Sequence, residues 1–296
     1  MDFFPIAYNE PLFRPPAEAN SLIFQVTLGC SWNKCAFCEM YTSKRFTVRK
    51  EKTVIQEIRD AALVFPDVRR IFLADGNALV LSTRRLLTIL QTIRESFPRA
   101  NRISAYALPG DIARKSPDEL AALRDAGLRL LYVGIETGDD ELLELIHKGE
   151  TFQSTAAGLL SAKQAGIKLS VMILNGLGGK KYSEQHALNS AKILNIVQPE
   201  YASTLVLSFP FGEQQYRQRF AGEYLPMNLT DLLAEMELLI KNTELNSTIF
   251  RSNHASNFLI LQGTLSKDKS RLLSEIRTAQ DHPEAAHLRQ EWERGL

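Results

Sequence analysis

Six short apolar runs recur along the first two-thirds of the chain, each followed by a longer stretch of helical period. They are SLIFQVTL (21–28), RIFLA (70–74), RISAYAL (102–108), LRLLYVGI (128–135), IKLSVMIL (167–174) and YASTLVLS (201–208). Apolar residues at nearly every position suit strands buried on both faces, as in a parallel sheet. The helix ends between them are readable. Ser116-Pro117-Asp118-Glu119 has the spacing of a capping box, with proline at the first helical position. Gly127 and Gly166 close two successive helices, since Asp125-Ala126-Gly127-Leu128-Arg129-Leu130 is echoed by Gln164-Ala165-Gly166-Ile167-Lys168-Leu169. Six such units joined by right-handed crossovers predict an α/β fold, a partial (β/α)6 TIM-like barrel rather than a closed eight-stranded one.

After Pro210 the pattern changes to a polar stretch, EQQYRQRFAGEY, followed by a helix TDLLAEMELLIKN (230–242). One more strand-like run, NFLILQG (257–263), precedes a charged helical tail that includes SRLLSEIRTAQ. The expected organisation is an N-terminal extension over residues 1–20, the barrel over 21–210, and a C-terminal α+β appendage over 211–296 that covers the barrel.

Composition sets limits on function. With 45% apolar and 23% charged residues among 296, the chain sits near the globular average. A net charge of +1 provides no one-signed field for nucleic acid or an anionic membrane. The run Lys44-Arg45-Phe46-Thr47-Val48-Arg49-Lys50-Glu51-Lys52 reads as a solvated loop, with a local phosphate contact as its alternative. No apolar run approaches the roughly 20 residues of a membrane span, and the start MDFFPIAYNEPLF has no signal-peptide pattern. A cytoplasmic protein without membrane contact is expected.

All 3 cysteines fall in one segment, Cys30-Ser31-Trp32-Asn33-Lys34-Cys35-Ala36-Phe37-Cys38, directly after Gly29 and the first predicted strand. Strand C-termini form the functional face of parallel barrels, so this cluster is placed for chemistry. A plant-type two-iron centre shares the C-x4-C-x2-C spacing but needs a fourth cysteine. Structural zinc needs four ligands, and none of His147, His186, His254, His282 and His287 stands at the close spacing of zinc modules. Three buried structural thiols fit poorly with Ser31, Asn33 and Lys34 among them. A four-iron cluster on three thiolates leaves one iron open to a chelating small molecule.

This segment resembles the cluster loop of the radical S-adenosylmethionine (SAM) superfamily, whose usual spacing is C-x3-C-x2-C with an aromatic residue before the last cysteine. Phe37 holds that aromatic place, and the first spacing is one residue longer here. The second strand is followed by Asp75-Gly76-Asn77, where the superfamily usually has a Gly-Gly-Glu type segment that binds the amino group of the cofactor. Val133-Gly134-Ile135-Glu136-Thr137-Gly138, with Lys148-Gly149 after it, is similar to a signature of the methylthiotransferase, elongator and coproporphyrinogen-oxidase branch. There the glutamate and the basic residue lie near the cofactor's ribose and carboxylate. Asn175-Gly176-Leu177-Gly178 resembles the glycine-rich turn that approaches the adenine, with Gly178 in place of a proline.

The resemblance implies a [4Fe-4S] cluster on Cys30, Cys35 and Cys38, with SAM bound at its open iron. It implies cofactor contacts from Phe37, Asp75, Gly76, Asn77, Glu136, Lys148, Asn175 and Gly176. Reductive cleavage of SAM would give a 5′-deoxyadenosyl radical that removes hydrogen from a small-molecule or peptide substrate, with electrons from an external flavodoxin- or ferredoxin-like donor. Auxiliary clusters are not expected, because one cluster uses every cysteine. The alternative is a non-catalytic iron-sulfur or metal protein acting as sensor or carrier. Arg251-Ser252-Asn253-His254-Ala255-Ser256-Asn257 precedes the last strand-like run, and His254 is a candidate for contact with cofactor or substrate, with turn formation as the competing role.

Overall fold

The structure is a computed structural model and describes residues 5–209 and 212–294. Both the predicted boundary at 210/211 and residues 1–4 of the extension lie outside the described residues. The strands are β1 (Leu22–Gln25), β2 (Thr27–Leu28), β3 (Thr47–Val48), β4 (Arg70–Ala74), β5 (Arg102–Tyr106), β6 (Leu128–Glu136), β7 (Lys168–Asn175), β8 (Tyr201–Val206), β9 (Ile249–Ser252) and β10 (Leu261–Thr264). The α-helices are α1 (Glu51–Val64), α2 (Thr83–Ser96), α3 (Pro109–Ala113), α4 (Pro117–Asp125), α5 (Asp140–Leu145), α6 (Phe152–Gln164), α7 (Gly179–Val197), α8 (Glu213–Arg219), α9 (Leu229–Lys241) and α10 (Leu265–Asp281).

One eight-stranded sheet runs in the order β1-β4-β5-β6-β7-β8-β9-β10, and β2 and β3 form a separate antiparallel ribbon. The six expected strands all form, and the α/β class holds. Two strands of the predicted appendage extend this same sheet, β9 parallel to β8 and β10 antiparallel to β9. The periodicity did not reveal β9, whose burial alternates exposed and buried over only four residues. The run 257–263 begins as a turn, because the Asn257 side chain takes over the strand's bonding. Its Oδ1 accepts from Val206 N at 3.1 Å and its Nδ2 donates to Thr204 O at 2.9 Å.

Two compact units make up the chain. The first comprises residues up to Asn33, Cys38–Val133 and Ala157–Leu169; the second comprises Lys34–Phe37, Gly134–Ala156 and the chain from Ser170 onward. In the first, β4 presents the burial pattern of a strand covered on both faces. Helix α2 buries Leu86, Ile89, Leu90 and Ile93, the one-sided stripe of a 3.6-residue period. Each such side chain stabilises by about 1.5–3 kcal/mol relative to exposure. The α4 capping box forms as read, with Ser116 N donating to Glu119 Oε2 at 2.9 Å and Glu119 N to Ser116 Oγ at 3.2 Å. Gly127 and Gly166 both adopt left-handed backbone, φ +112° and +80°.

The second unit's core gathers Leu142, Ile146, Leu174, Leu177, Tyr182 and Leu207 with aromatic residues of the polar stretch, Tyr216, Phe220 and Tyr224. That stretch contains α8, which the periodicity did not show because only Tyr216 of the helix is buried. Among the described residues, no helix is long and apolar enough to cross a membrane.

Candidate functional site

In the first unit the loop carrying Cys30 and Cys38 springs from the β2–β3 ribbon, whose register pairs Thr27 with Val48 and Leu28 with Thr47. Its root is locked to the end of β4. Gly29 N donates to Asp75 Oδ2 at 2.9 Å, and Gly76 N donates to Gly29 O at 3.2 Å. A side chain cannot fit at Gly76, since a Cβ there would lie 2.8 Å from the Tyr41 ring and 3.0 Å from Cys30 Cβ.

Asp75 is fully buried and takes three donors. Besides Gly29 N, its carboxylate accepts from Gln25 Nε2 and Lys44 Nζ, each at 3.0 Å. Lys44 is therefore no solvated loop cation, which corrects that part of the basic run. Its charge is neutralised at depth by Asp75. Arg49 pairs with Glu57 through both nitrogens, at 2.7 and 2.6 Å, leaving Arg45, Lys50 and Lys52 as the exposed cations of the run.

Asn77 is also fully buried but only half satisfied. Its Nδ2 donates to Ser31 Oγ at 2.8 Å and to Asp111 Oδ2, while its Oδ1 has no partner. A carboxamide oxygen held without a donor is an acceptor awaiting one. Against Gly76, burial, the Asp75 carboxylate and the Cys30 and Cys38 thiols push the Tyr41 hydroxyl upward, so it keeps its proton.

In the second unit the Gly134-x-Glu136 pattern has a geometric reason. Glu136, at φ +65°, folds its carboxylate back over Gly134, where a Cβ would stand 2.1 Å from Oε1. The same oxygen accepts from Lys148 Nζ at 2.9 Å, with both side chains under 10% exposed. Lys148 also lies 5.8 Å from the ring centroid of Phe37. The structure thus brings three expected residues, Phe37, Glu136 and Lys148, into one contact set. The segment bearing Cys35 is tied down in this unit as well. Ala36 N donates to Ile146 O at 2.8 Å, and Arg219 Nη2 donates to Cys35 O at 2.8 Å.

Asn175 and Gly176 end β7 against α9. Asn175 Nδ2 donates to Leu232 O at 3.1 Å, and Gly176 N donates to Glu235 Oε1 at 2.6 Å. His254 closes its own turn, its Nδ1 lying 2.9 Å from Ser256 Oγ and accepting from Ser256 N at 3.1 Å. Burial, aided by Arg289, pushes its pKa down.

Two buried titratable groups were not singled out by motif. His186 Nδ1 lies 2.8 Å from Thr137 Oγ1, and its Nε2 lies 3.7 Å from Glu235 Oε1. Both stand on apolar stripes, His186 with Tyr182 and Ser190 on α7, Glu235 with Leu232 and Leu239 on α9. A polar residue in phase with a helix's buried face was the available signal. Burial holds the Glu235 carboxyl up at about 7 from 4.5 and His186 down at about 4 from 6.5, so both favour their neutral forms.

These shifts give opposite pH slopes. The folded state keeps the Glu235 proton where the unfolded chain has lost it, so its stabilisation is full below about pH 4.5 and lost as pH rises through about 7. His186 contributes above pH 6.5, and that contribution is lost as pH falls through about 4. Glu235→Gln removes the first slope alone. In urea unfolding it is expected to gain about 1–3 kcal/mol on the parent protein between pH 5 and pH 8. Parallel stability curves would mean that Glu235 does not titrate in this window.

Three cysteines, none in a disulfide, offer the type of donor that an iron-sulfur cluster takes. Among the described residues no three His, Cys, Asp or Glu side chains are grouped around a single metal ion. A cubane asks for something else, one thiolate on each of three irons, which is the donor chemistry of these cysteines, and the first unit adds a buried, unpartnered acceptor at Asn77.

The Radical SAM superfamily profile matches residues 24–192, and the chain belongs to that superfamily. Membership implies SAM and an iron-sulfur cluster. Among curated relatives, the heme chaperone HemW of Bacillus subtilis (strain 168) is 26% identical over 132 residues, covering 44% of this chain and 35% of that protein. An uncharacterized methyltransferase of Pyrococcus horikoshii is 24% identical over 275 residues, covering 88% of this chain and 56% of its own. The chain therefore spans about a third to just over half the length of these relatives. Of solved structures, coproporphyrinogen III oxidase (HemN) from Escherichia coli aligns with a TM-score of 0.59 at 20% identity, over 75% of this chain and 52% of that one. Methylornithine synthase (PylB) aligns at 0.51 and 16% identity, over 76% and 63%. Both share the fold.

Proposed function

We propose that this protein is a radical SAM enzyme whose [4Fe-4S] cluster is held by Cys30, Cys35 and Cys38. When bound, the cluster supplies the electron that splits SAM into methionine and a 5′-deoxyadenosyl radical, which takes hydrogen from a small-molecule or peptide substrate. The observation that carries this reading is the orphaned, fully buried Oδ1 of Asn77, held beside Ser31 in the loop that contributes the cysteines, none of them in a disulfide.

The residues divide the work. Asn77 Oδ1 receives the ammonium of the methionyl group, its orientation fixed by donation from Nδ2 to Ser31 and Asp111. Asp75, whose carboxylate already takes three donors and the Lys44 charge, holds the loop root instead. Gly76 supplies the space this approach needs. Glu136 and Lys148, a buried ion pair against Phe37, take the ribose side of the cofactor. Asn175 and Gly176 shape the adenine side through their backbone, since the Asn175 amide nitrogen is committed to α9. Electrons come from an external flavodoxin- or ferredoxin-like protein.

The test is direct. Anaerobically reconstituted protein given dithionite and SAM is expected to release 5′-deoxyadenosine even without substrate. A second reading, a non-catalytic cluster carrier, is favoured by the relative named as a chaperone. Iron-loaded protein that releases no 5′-deoxyadenosine supports that reading, and stoichiometric zinc without iron removes both.

A further inference from the structure

Tyr41 stands three residues beyond Cys38, in no part of the family's motif pattern quoted above. Its residue exposure is 3%, and its hydroxyl oxygen is buried with no hydrogen-bond partner. The ring is held from two sides. Phe13 meets it edge-on at a centroid distance of 5.4 Å, and Gly76 leaves the gap into which its edge fits. The backbone carbonyl accepts from Asn33 Nδ2 at 3.1 Å and from Lys44 N at 3.0 Å, so the residue is anchored independently of its hydroxyl.

Phenylalanine would satisfy every one of these packing contacts. A tyrosine hydroxyl left unpaired at such depth costs about 1–3 kcal/mol. The Tyr41 ring edge and Cys30 Cβ border the same gap at Gly76, 2.8 and 3.0 Å from where a Cβ would stand, and Asp75, Tyr106, Cys30 and Cys38 all act on the hydroxyl electrostatically. Asp75 already accepts from Gln25, Gly29 and Lys44. Burial keeps the Tyr106 phenol neutral, so the anionic partners that remain for a protonated donor are in the neighbourhood of two thiols read as cluster ligands.

We infer that the Tyr41 hydroxyl is a binding residue of this site, donating a hydrogen bond to an anionic atom of the cluster or its cofactor, either a cluster sulfur or the SAM carboxylate. The inference rests on the cluster reading proposed above. Hydrogen bonds to cluster sulfurs stabilise the reduced, more negative state and raise its potential. A hydrogen bond to the carboxylate acts on cofactor affinity alone.

Tyr41→Phe removes the hydroxyl and keeps the ring. The full chain, reconstituted anaerobically, is expected to load iron and sulfide as the parent protein does and to melt at the same temperature. Two measurements then read the hydroxyl. A more negative reduction potential in an EPR-monitored titration without SAM assigns the sulfur as acceptor. An unchanged potential with SAM affinity several-fold weaker assigns the carboxylate. Phe13→Leu, which loosens the ring and leaves the hydroxyl, is the packing control and should change neither. Unchanged potential and unchanged affinity in Tyr41→Phe would overturn the inference. So would failure to load iron at the parent melting temperature, which would give the hydroxyl to loop folding. Parent protein that takes up no iron at all would instead sink the cluster reading itself.

Discussion

Alanine at Cys30, Cys35 or Cys38 is expected to abolish 5′-deoxyadenosine formation, with the brown absorbance of the reconstituted protein lost or strongly reduced. The reason is ligand count. The chain has 3 cysteines, so no spare thiol exists to replace a missing one, and a cubane on two protein ligands is poorly retained. The three substitutions differ structurally. Cys35 is buried, and its carbonyl receives the Arg219 guanidinium, whereas Cys30 and Cys38 are half-buried. All three alanine proteins should nonetheless fold, because the ribbon and Asp75 hold the loop root without the thiols. Iron and sulfide analysis beside circular dichroism separates loss of metal from loss of fold. Any one alanine variant that loads and turns over like the parent would exclude that cysteine as a ligand.

Lys148→Ala is expected to destabilise the fold by about 3–5 kcal/mol, the largest effect of any single surface-distant substitution proposed for this chain. It leaves Glu136 buried with its carboxylate folded over Gly134 and its cationic partner gone. A buried charge without a counter-charge carries the full desolvation penalty. The double variant Glu136→Gln/Lys148→Met removes both charges and should lose much less, since a neutral pair of similar volume needs no counter-ion. Urea unfolding of Glu136→Gln, Lys148→Met and the double completes the cycle. A Lys148→Ala protein within about 1 kcal/mol of the parent would show that Glu136 finds water or another partner.

Much of the framework was legible because it is written in local periodicity. Strands buried on both faces must be apolar throughout, and Arg70–Ala74 appears in the structure with the limits read from its sequence. Capping chemistry and helix-closing glycines act within four residues, so Ser116 and Gly127 could be read without any fold. The cysteine spacing could be read for the same reason. Helix α8 could not, because it is polar on most of its surface and its burial comes from an aromatic cluster assembled from distant segments.

The candidate residues divide along the same line. Asp75 and Asn77 are two positions apart and equally buried, and nothing local says which one keeps an acceptor free. That outcome depends on Gln25, Lys44 and Gly29 reaching Asp75, while Ser31 and Asp111 reach only the nitrogen of Asn77. His254 offered a functional pattern, and the structure gives its Nδ1 to Ser256. Tyr41, Glu235 and His186 carried no motif; burial brings all three out, with an unpartnered oxygen at Tyr41 and Glu235.

Sequence alone determined the α/β class, the six core strands, the thiol triplet and the family those features resemble, since each depends on spacing along the chain. Tertiary structure decided which carboxylate is spent on architecture, which amide oxygen and which hydroxyl lack partners, and that the last two strands join the main sheet. Hydrogen-bond saturation and strand pairing are set by residues far apart in sequence, and so appear only once the chain has folded.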